Sequence, residues 1–194
     1  MRRDWWVSVL QWSLWGVVMV IVMGWVARSR LRARPEGDQR TLRHPISTLL
    51  IGLMGSAFFF GIAIISNTVG KNATATIWTT LGFVLFGLAS LPMVADYFFA
   101  RHTVSEAGLE YGRMWGQRGS LRWADVVRVS YASGMKWFVL QTRDGKTVRI
   151  SVMLMGLPAF AGLLLQHVLP QAIDEEAFPI IRETQGGRPP SVWS

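Results

Sequence analysis

The sequence predicts an α plus β membrane protein, in which three transmembrane helices precede a small antiparallel β domain capped by a C-terminal helix. The first half of the chain contains three apolar blocks without a charged residue. The second half alternates short apolar and polar residues around an Asp-Gly turn. Hydrophobic residues make up 51% of the 194 residues and charged residues only 16%, which is too little charge to cover a soluble domain of this size.

The apolar blocks predict transmembrane spans at about residues 5–27, 45–66 and 75–96, within a membrane region of residues 1–100. At about 1.5 Å per residue, each block can cross a hydrocarbon layer of about 30 Å. A cleaved signal peptide is the rival interpretation of the first block. Its apolar core would be shorter, however, and here an arginine-rich flank follows directly, as after a stop-transfer segment.

The charges between the spans predict their orientation. The connector of residues 28–44 carries six arginines, whereas the loop around Lys71 carries a single charge. By the positive-inside rule, the connector and everything after the third span lie in the cytosol, and the N-terminus lies outside a bacterial inner membrane. Arg2 and Arg3 oppose this orientation but are outnumbered. The topology explains most of the net charge of +8, so a nucleic-acid partner is not expected.

Residues 101–170 are predicted to form the β domain, and their clearest local signal is a hairpin. Asp144-Gly145 separates two β-prone runs, which favours a two-residue turn. Such a turn pairs Val139 with Ile150 and leaves Phe138 and Leu140 as apolar exceptions on the polar face.

An amphipathic helix from Leu157 to Leu169 is predicted to close the domain, with Phe160 and Leu164 among its core-facing residues. The remaining residues, 171–194, contain an acidic cluster and then a Gly- and Pro-rich end. This composition favours a largely flexible tail.

Four segments of the β domain form a familiar order of strands followed by one helix: His102-Thr-Val-Ser-Glu-Ala-Gly-Leu109, Leu121-Arg-Trp-Ala-Asp-Val126, the hairpin around Asp144-Gly145, and Leu157-Pro-Ala-Phe160 with Leu169-Pro170. In these segments the chain resembles bacterial pleckstrin-homology-like (PH-like) domain proteins with N-terminal membrane helices. The resemblance implies a bent, seven-stranded sandwich capped by a helix. It implies little about activity, because such domains mostly bind lipids, peptides or proteins.

The residues that carry most enzyme chemistry are scarce. The chain has no cysteine, which excludes disulfides, thiolate nucleophiles and cysteine-based zinc sites. Its three histidines, His44, His102 and His167, lie in different segments without the spacing of metal ligands. This spacing favours interfacial or surface histidines over a shared site of His44 and His102. No nucleophile elbow or Walker-type phosphate loop occurs, so neither catalysis nor a cofactor is expected.

A basic cluster is the first candidate site. Arg113, Arg118 and Arg122 surround the predicted second and third strands, where they could meet anionic lipid headgroups or a partner. The alternative is a solvated basic surface that only satisfies the positive-inside bias.

Four residues of the spans are further candidates. Asp96 is a carboxylate near the end of the third span, and its structural interpretation is an interfacial ion pair with Arg101 or a solvated carboxylate. Gln11 could hydrogen-bond to a neighbouring helix. Ala57 and Gly61 form a small-xxx-small pair that allows close helix packing.

These observations favour a non-enzymatic membrane protein whose cytosolic PH-like domain binds a protein, with anionic lipid as a secondary candidate ligand, as an accessory or complex subunit. Membrane lipids and a protein partner or a second copy of the chain are the expected partners. The alternatives are an immunity-type protein that neutralises a membrane-active toxin, and a small transporter or membrane enzyme. The last is disfavoured because the spans carry no paired charges.

Overall fold

The chain begins with three long helices in the computed structural model, which describes residues 5–29, 31, 40–68, 76–112 and 116–191. Helix α1 spans Trp5–Ser29, α2 spans Ile46–Thr68 and α3 spans Ile77–Phe99. By length and composition all three can cross a membrane, as the charge-free blocks predict. The chain is therefore a membrane protein.

Helices α2 and α3 pack closely because small residues line their contact. A Cβ atom at Gly52 would lie 2.8 Å from Val94 Cγ2, and the Ser56 hydroxyl donates a hydrogen bond to the Gly87 carbonyl at 3.2 Å. The predicted packing pair takes no part in this contact: Ala57 is exposed, and no atom lies within 4 Å of a Cβ placed at Gly61. One residue along a helix turns the side chain by about 100°, so Gly52 and Ser56 face α3 while Ala57 does not.

Helix α1 meets α2 at its C-terminal end, where the Ser29 and Ser47 hydroxyls lie 2.7 Å apart. Further along α1, Trp12 is 74% exposed. Gln11, predicted to bond to a neighbouring helix, is exposed and has no hydrogen bond within the described ranges.

Two antiparallel sheets follow, in the strand orders β1-β2-β3-β4 and β5-β6-β7. The strands are β1 Thr41–Leu42, β2 His102–Val104, β3 Gly108–Gly112, β4 Arg118–Arg122, β5 Val126–Ala132, β6 Trp137–Thr142 and β7 Thr147–Ser151. A 3-10 turn, Trp123–Asp125, joins the two sheets. As far as the structure describes the chain, the sheets form an open sandwich and no closed barrel.

Strand β1 comes from the connector that the sequence assigns to the loop between α1 and α2. It pairs with β2, and Leu42 is fully buried in the core of the domain. Met155 also donates its backbone N–H to the Arg43 carbonyl at 2.9 Å. The α2–α3 hairpin is therefore inserted between the first two strands of the domain. The boundary predicted at residue 101 misses this, because a two-residue strand is too short to show periodicity.

The predicted register of the β6–β7 hairpin is wrong by one residue. Val139 pairs with Arg149, and Phe138 pairs with Ile150. The connection has three residues, with Gly145 at a φ of 79° and its N–H donating to the Thr142 carbonyl at 2.9 Å. Gly145 thus occupies the left-handed position of a three-residue turn, which shifts the pairing relative to a two-residue turn. Phe138, predicted as an exception on the outer face, is at the centre of the core.

Helix α4, Leu157–His167, covers the open side of the sandwich, and Phe160 packs against the rings of Trp123 and Phe138. The segment after it is ordered, in contrast to the predicted flexible tail. A 3-10 turn and a further helix, α5 Ala177–Gln185, follow, and Ile181 is fully buried. The apolar residues at positions i and i+4 of α5 lie on one face of the helix, and that face is buried. Its burial offsets the entropy lost when the tail becomes ordered.

Candidate functional site

The β domain is joined directly to the end of α3. Strand β2 begins three residues after α3 ends at Phe99, and the Gly112 N–H of β3 donates to the Arg101 carbonyl at 3.0 Å. A Cβ at position 112 would lie 2.5 Å from the Phe99 carbonyl oxygen, so only glycine lets β3 approach the helix end this closely. This contact places β3 and β4 beside the last turn of a membrane helix.

A groove of about 660 Å³ lies at this junction, and we call it the arginine groove. All four strands of the first sheet and the last turn of α3 contribute to its lining. The lining residues are Thr41, Phe98, Phe99, Arg101, Thr103, Glu110, Tyr111, Gly112, Gly116, Arg118, Gly119 and Ser120.

Two unpaired guanidinium groups give the arginine groove its charge. Arg101 and Arg118 are exposed, and neither forms an ion pair within the described ranges. Glu110 is the one carboxylate in the lining. Phe98 and Phe99 are 51% and 53% exposed and bring apolar surface to the rim. The groove therefore combines net positive charge with an apolar edge.

Of the three arginines predicted as one basic surface, Arg118 and Arg122 belong to the described residues, and they line two different pockets. Arg118 lies in the arginine groove, whereas Arg122 lines an adjoining cavity of about 490 Å³ with Arg143 and Lys146, which shares Tyr111 and Ser120 with the groove. Arg122 also forms an ion pair with Asp125 at 3.1 Å. Arg113 lies outside the described residues, and Arg101, which the sequence suggested only as a partner of Asp96, is the second basic residue of the groove.

A second cavity, of about 410 Å³, lies between the helix ends and the second sheet, and we call it the histidine cavity. It contains His44, Asp96 and His102, together with Arg149 and Trp137 from the second sheet. The sequence favoured separate surface positions for the two histidines. The structure places both at one cavity, because His44 precedes α2 and His102 follows α3. The two ends of an antiparallel helix hairpin lie side by side. The positions of His44 before α2 and His102 after α3 could therefore have predicted that the two histidines lie close together.

Burial controls the charge of both histidines. Desolvation lowers the pKa of His44 to about 4, from its ordinary value of 6.5. Desolvation, and then the neighbouring His44, lowers the pKa of His102 to about 4 as well. The Nδ1 atoms of both rings are buried without a hydrogen-bond partner in the part of the chain that is described. At neutral pH both rings are therefore uncharged.

Asp96 lines the histidine cavity instead of pairing with Arg101. Within the described residues, no ion pair joins the two side chains, and the Asp96 carboxylate accepts no hydrogen bond. The described residues also contain no group of three side chains arranged to hold a metal ion.

Two antiparallel sheets with a covering helix, following three apolar helices, define a membrane protein with a PH-like binding domain. Comparison with known families identifies the kind of domain. Residues 100–159 match the family model described as a bacterial PH domain. This match confirms the resemblance noted in the sequence. No curated protein matches the chain significantly, and no solved structure does.

Proposed function

We propose that the chain is a non-enzymatic accessory or complex subunit of the bacterial inner membrane, whose PH-like domain binds anionic lipid headgroups in the arginine groove. The observation that carries the proposal is the position of two unpaired arginines, Arg101 and Arg118, beside the end of α3. That position matters because the end of a spanning helix lies at the surface of the hydrocarbon layer. Both arginines are then at the depth of the lipid headgroups.

The chemistry of the groove fits a phosphate ester at a bilayer surface. Guanidinium groups bind phosphate through paired N–H donors, and each basic residue near an anionic surface contributes about 1 kcal/mol. The exposed rings of Phe98 and Phe99 suit the boundary between the lipid headgroups and the acyl chains. The domain needs no diffusion step to reach its ligand, because the helix holds the groove beside the membrane.

Replacing Arg118 with glutamine is expected to weaken binding of phosphatidylglycerol by about fivefold, the equivalent of about 1 kcal/mol. Native mass spectrometry of the full chain in detergent, titrated with phosphatidylglycerol or phosphatidylcholine, measures this. Arg122→Gln is the matched control, since Arg122 lies on the same strand but is paired with Asp125. Equal retention of both lipids by the unsubstituted chain would contradict the proposal, as would equal losses in the two variants. The same spectra report any second copy of the chain or protein partner.

The proposed orientation has the N-terminus outside and the PH-like domain in the cytosol. It rests on the arginine-rich connector, which by the positive-inside rule stays on the cytosolic side. Because the chain has no cysteine, Ser133→Cys gives a single reporter in an exposed turn of the domain. We expect an impermeant thiol reagent to label it only after the membrane is opened. Labelling in intact cells would contradict this orientation and place the domain outside.

A further inference from the structure

We propose that the histidine cavity is a second lipid site, specific for a zwitterionic headgroup that carries a primary ammonium and a phosphate, as in phosphatidylethanolamine. This site and its ligand are separate from the anionic headgroup of the arginine groove. The two proposals therefore succeed or fail independently.

The location of the cavity points to a ligand from the bilayer. Asp96 and Ala100 belong to the C-terminal end of α3, and His44 stands two residues before α2 begins. These residues lie at the ends of two helices that are long enough to span a membrane, where such helices are expected to leave the hydrocarbon layer. A headgroup is the chemical group that is abundant at this depth.

The helix side of the cavity offers acceptors for an ammonium group. The Asp96 carboxylate has no ion pair or hydrogen bond among the described residues, so its acceptor capacity is free. His44 and His102 are uncharged at neutral pH, so they do not repel a cation, and a neutral imidazole has one accepting nitrogen. A primary ammonium has three N–H donors to match these acceptors, whereas a quaternary ammonium has none.

The sheet side of the cavity offers donors for a phosphate. Thr147, Arg149 and Ser151 alternate along β7, so all three side chains are on the cavity face of that strand. The Arg149 guanidinium lies 5.8 Å from the centre of the Trp137 ring, a cation–π contact that holds it in place. The two walls thus carry opposite charges, which is the pattern of a zwitterion.

Other ligand classes fit less well. An anionic headgroup would meet the free Asp96 carboxylate, and a quaternary ammonium could not satisfy it by hydrogen bonds. A metal ion bound by three protein side chains fits less well too, because the described residues contain no group of three side chains that could hold one.

A methylation series tests the proposal in the unsubstituted full chain. Native mass spectrometry compares phosphatidylethanolamine, its N-methyl and N,N-dimethyl derivatives and phosphatidylcholine, all with identical acyl chains. Affinity is expected to fall as N–H donors are lost, by about tenfold over the series. Equal affinity for all four lipids would overturn the proposal without recourse to any variant. Displacement of the lipid by an equal concentration of soluble phosphoethanolamine would overturn the assignment to a lipid.

Variants assign the two halves of the headgroup. Asp96→Asn should reduce the ratio of phosphatidylethanolamine to phosphatidylcholine binding. Arg149→Gln should weaken both lipids alike, because they share the phosphate. Arg118→Gln should lower phosphatidylglycerol binding and leave that ratio unchanged, so failure of the arginine groove is distinguished from failure of this site. An unchanged ratio in a folded Asp96→Asn variant would contradict the proposed role of the carboxylate.

Discussion

Acidification from about pH 7 to about pH 4 is expected to destabilise the chain steeply, because two imidazoles, one buried and one half-buried, resist protonation in the folded state. His44 and His102 have pKa values of about 4 in the fold, against 6.5 ordinarily. Above pH 6.5 neither state binds the protons. Between 6.5 and 4 the unfolded chain takes them up and the folded chain does not, so stability falls by up to about 3 kcal/mol per ring. Below pH 4 both states are protonated and this loss levels off.

Unfolding by denaturant in detergent, followed at a series of pH values, measures the effect. The variants His44→Gln and His102→Gln should each flatten the curve between pH 6.5 and 4, and the double variant should flatten it further. His167→Gln is the control, because His167 lies apart from the cavity and contacts Glu106 at 2.7 Å. A double variant that loses as much stability as the unsubstituted chain would show that these rings are not the buried groups described.

Replacing Gly112 with alanine is expected to separate the β domain from the end of α3. The new Cβ would lie 2.5 Å from the Phe99 carbonyl oxygen and 2.9 Å from that of Arg101. Both neighbours are backbone atoms of the junction, so no side-chain rotation relieves the clash. Overpacking of this kind costs about 1–3 kcal/mol or more. We expect a matching loss in the free energy of unfolding and weaker binding of phosphatidylglycerol.

Gly134→Ala provides the matched control, since a Cβ there meets no atom within 4 Å. That change should alter stability by no more than about 0.5 kcal/mol. If Gly112→Ala were as stable as Gly134→Ala and bound lipid normally, the close approach of β3 to the helix would not be needed for the groove.

The spans and most strands could be predicted because their signals are local. A charge-free block of membrane length and an alternating run both show in a short window of sequence. Strand β1 could not be found in this way, because it has two residues and pairs with a strand about sixty positions later. The hairpin register failed for a related reason. Asp144-Gly145 marks a turn, but its length depends on whether Arg143 belongs to the strand or to the turn.

The candidate site depended on contacts between distant segments. Arg101 and Arg118 line one groove because β3 packs against the end of α3 through Gly112, which no spacing in the sequence reveals. The order of the tail is similar, since Ile181 is buried where α5 packs against α4 and β5, which come from earlier parts of the chain. The acidic cluster that suggested flexibility includes Asp174, which instead pairs with Arg128 at 2.9 Å. Composition alone could not show whether these acidic residues belong to a flexible tail or form ion pairs with the folded domain.

Photocrosslinking with a headgroup-labelled phosphatidylglycerol tests the central claim most directly. The full chain is reconstituted in bilayers that contain the probe, irradiated and mapped by mass spectrometry of its peptides. We expect crosslinks within residues 98–101 and 116–120, which line the arginine groove, and their loss in the Arg101→Gln, Arg118→Gln double variant. Crosslinks that concentrate on residues 143–146 of the neighbouring cavity, or that persist in the double variant, would contradict binding at this groove.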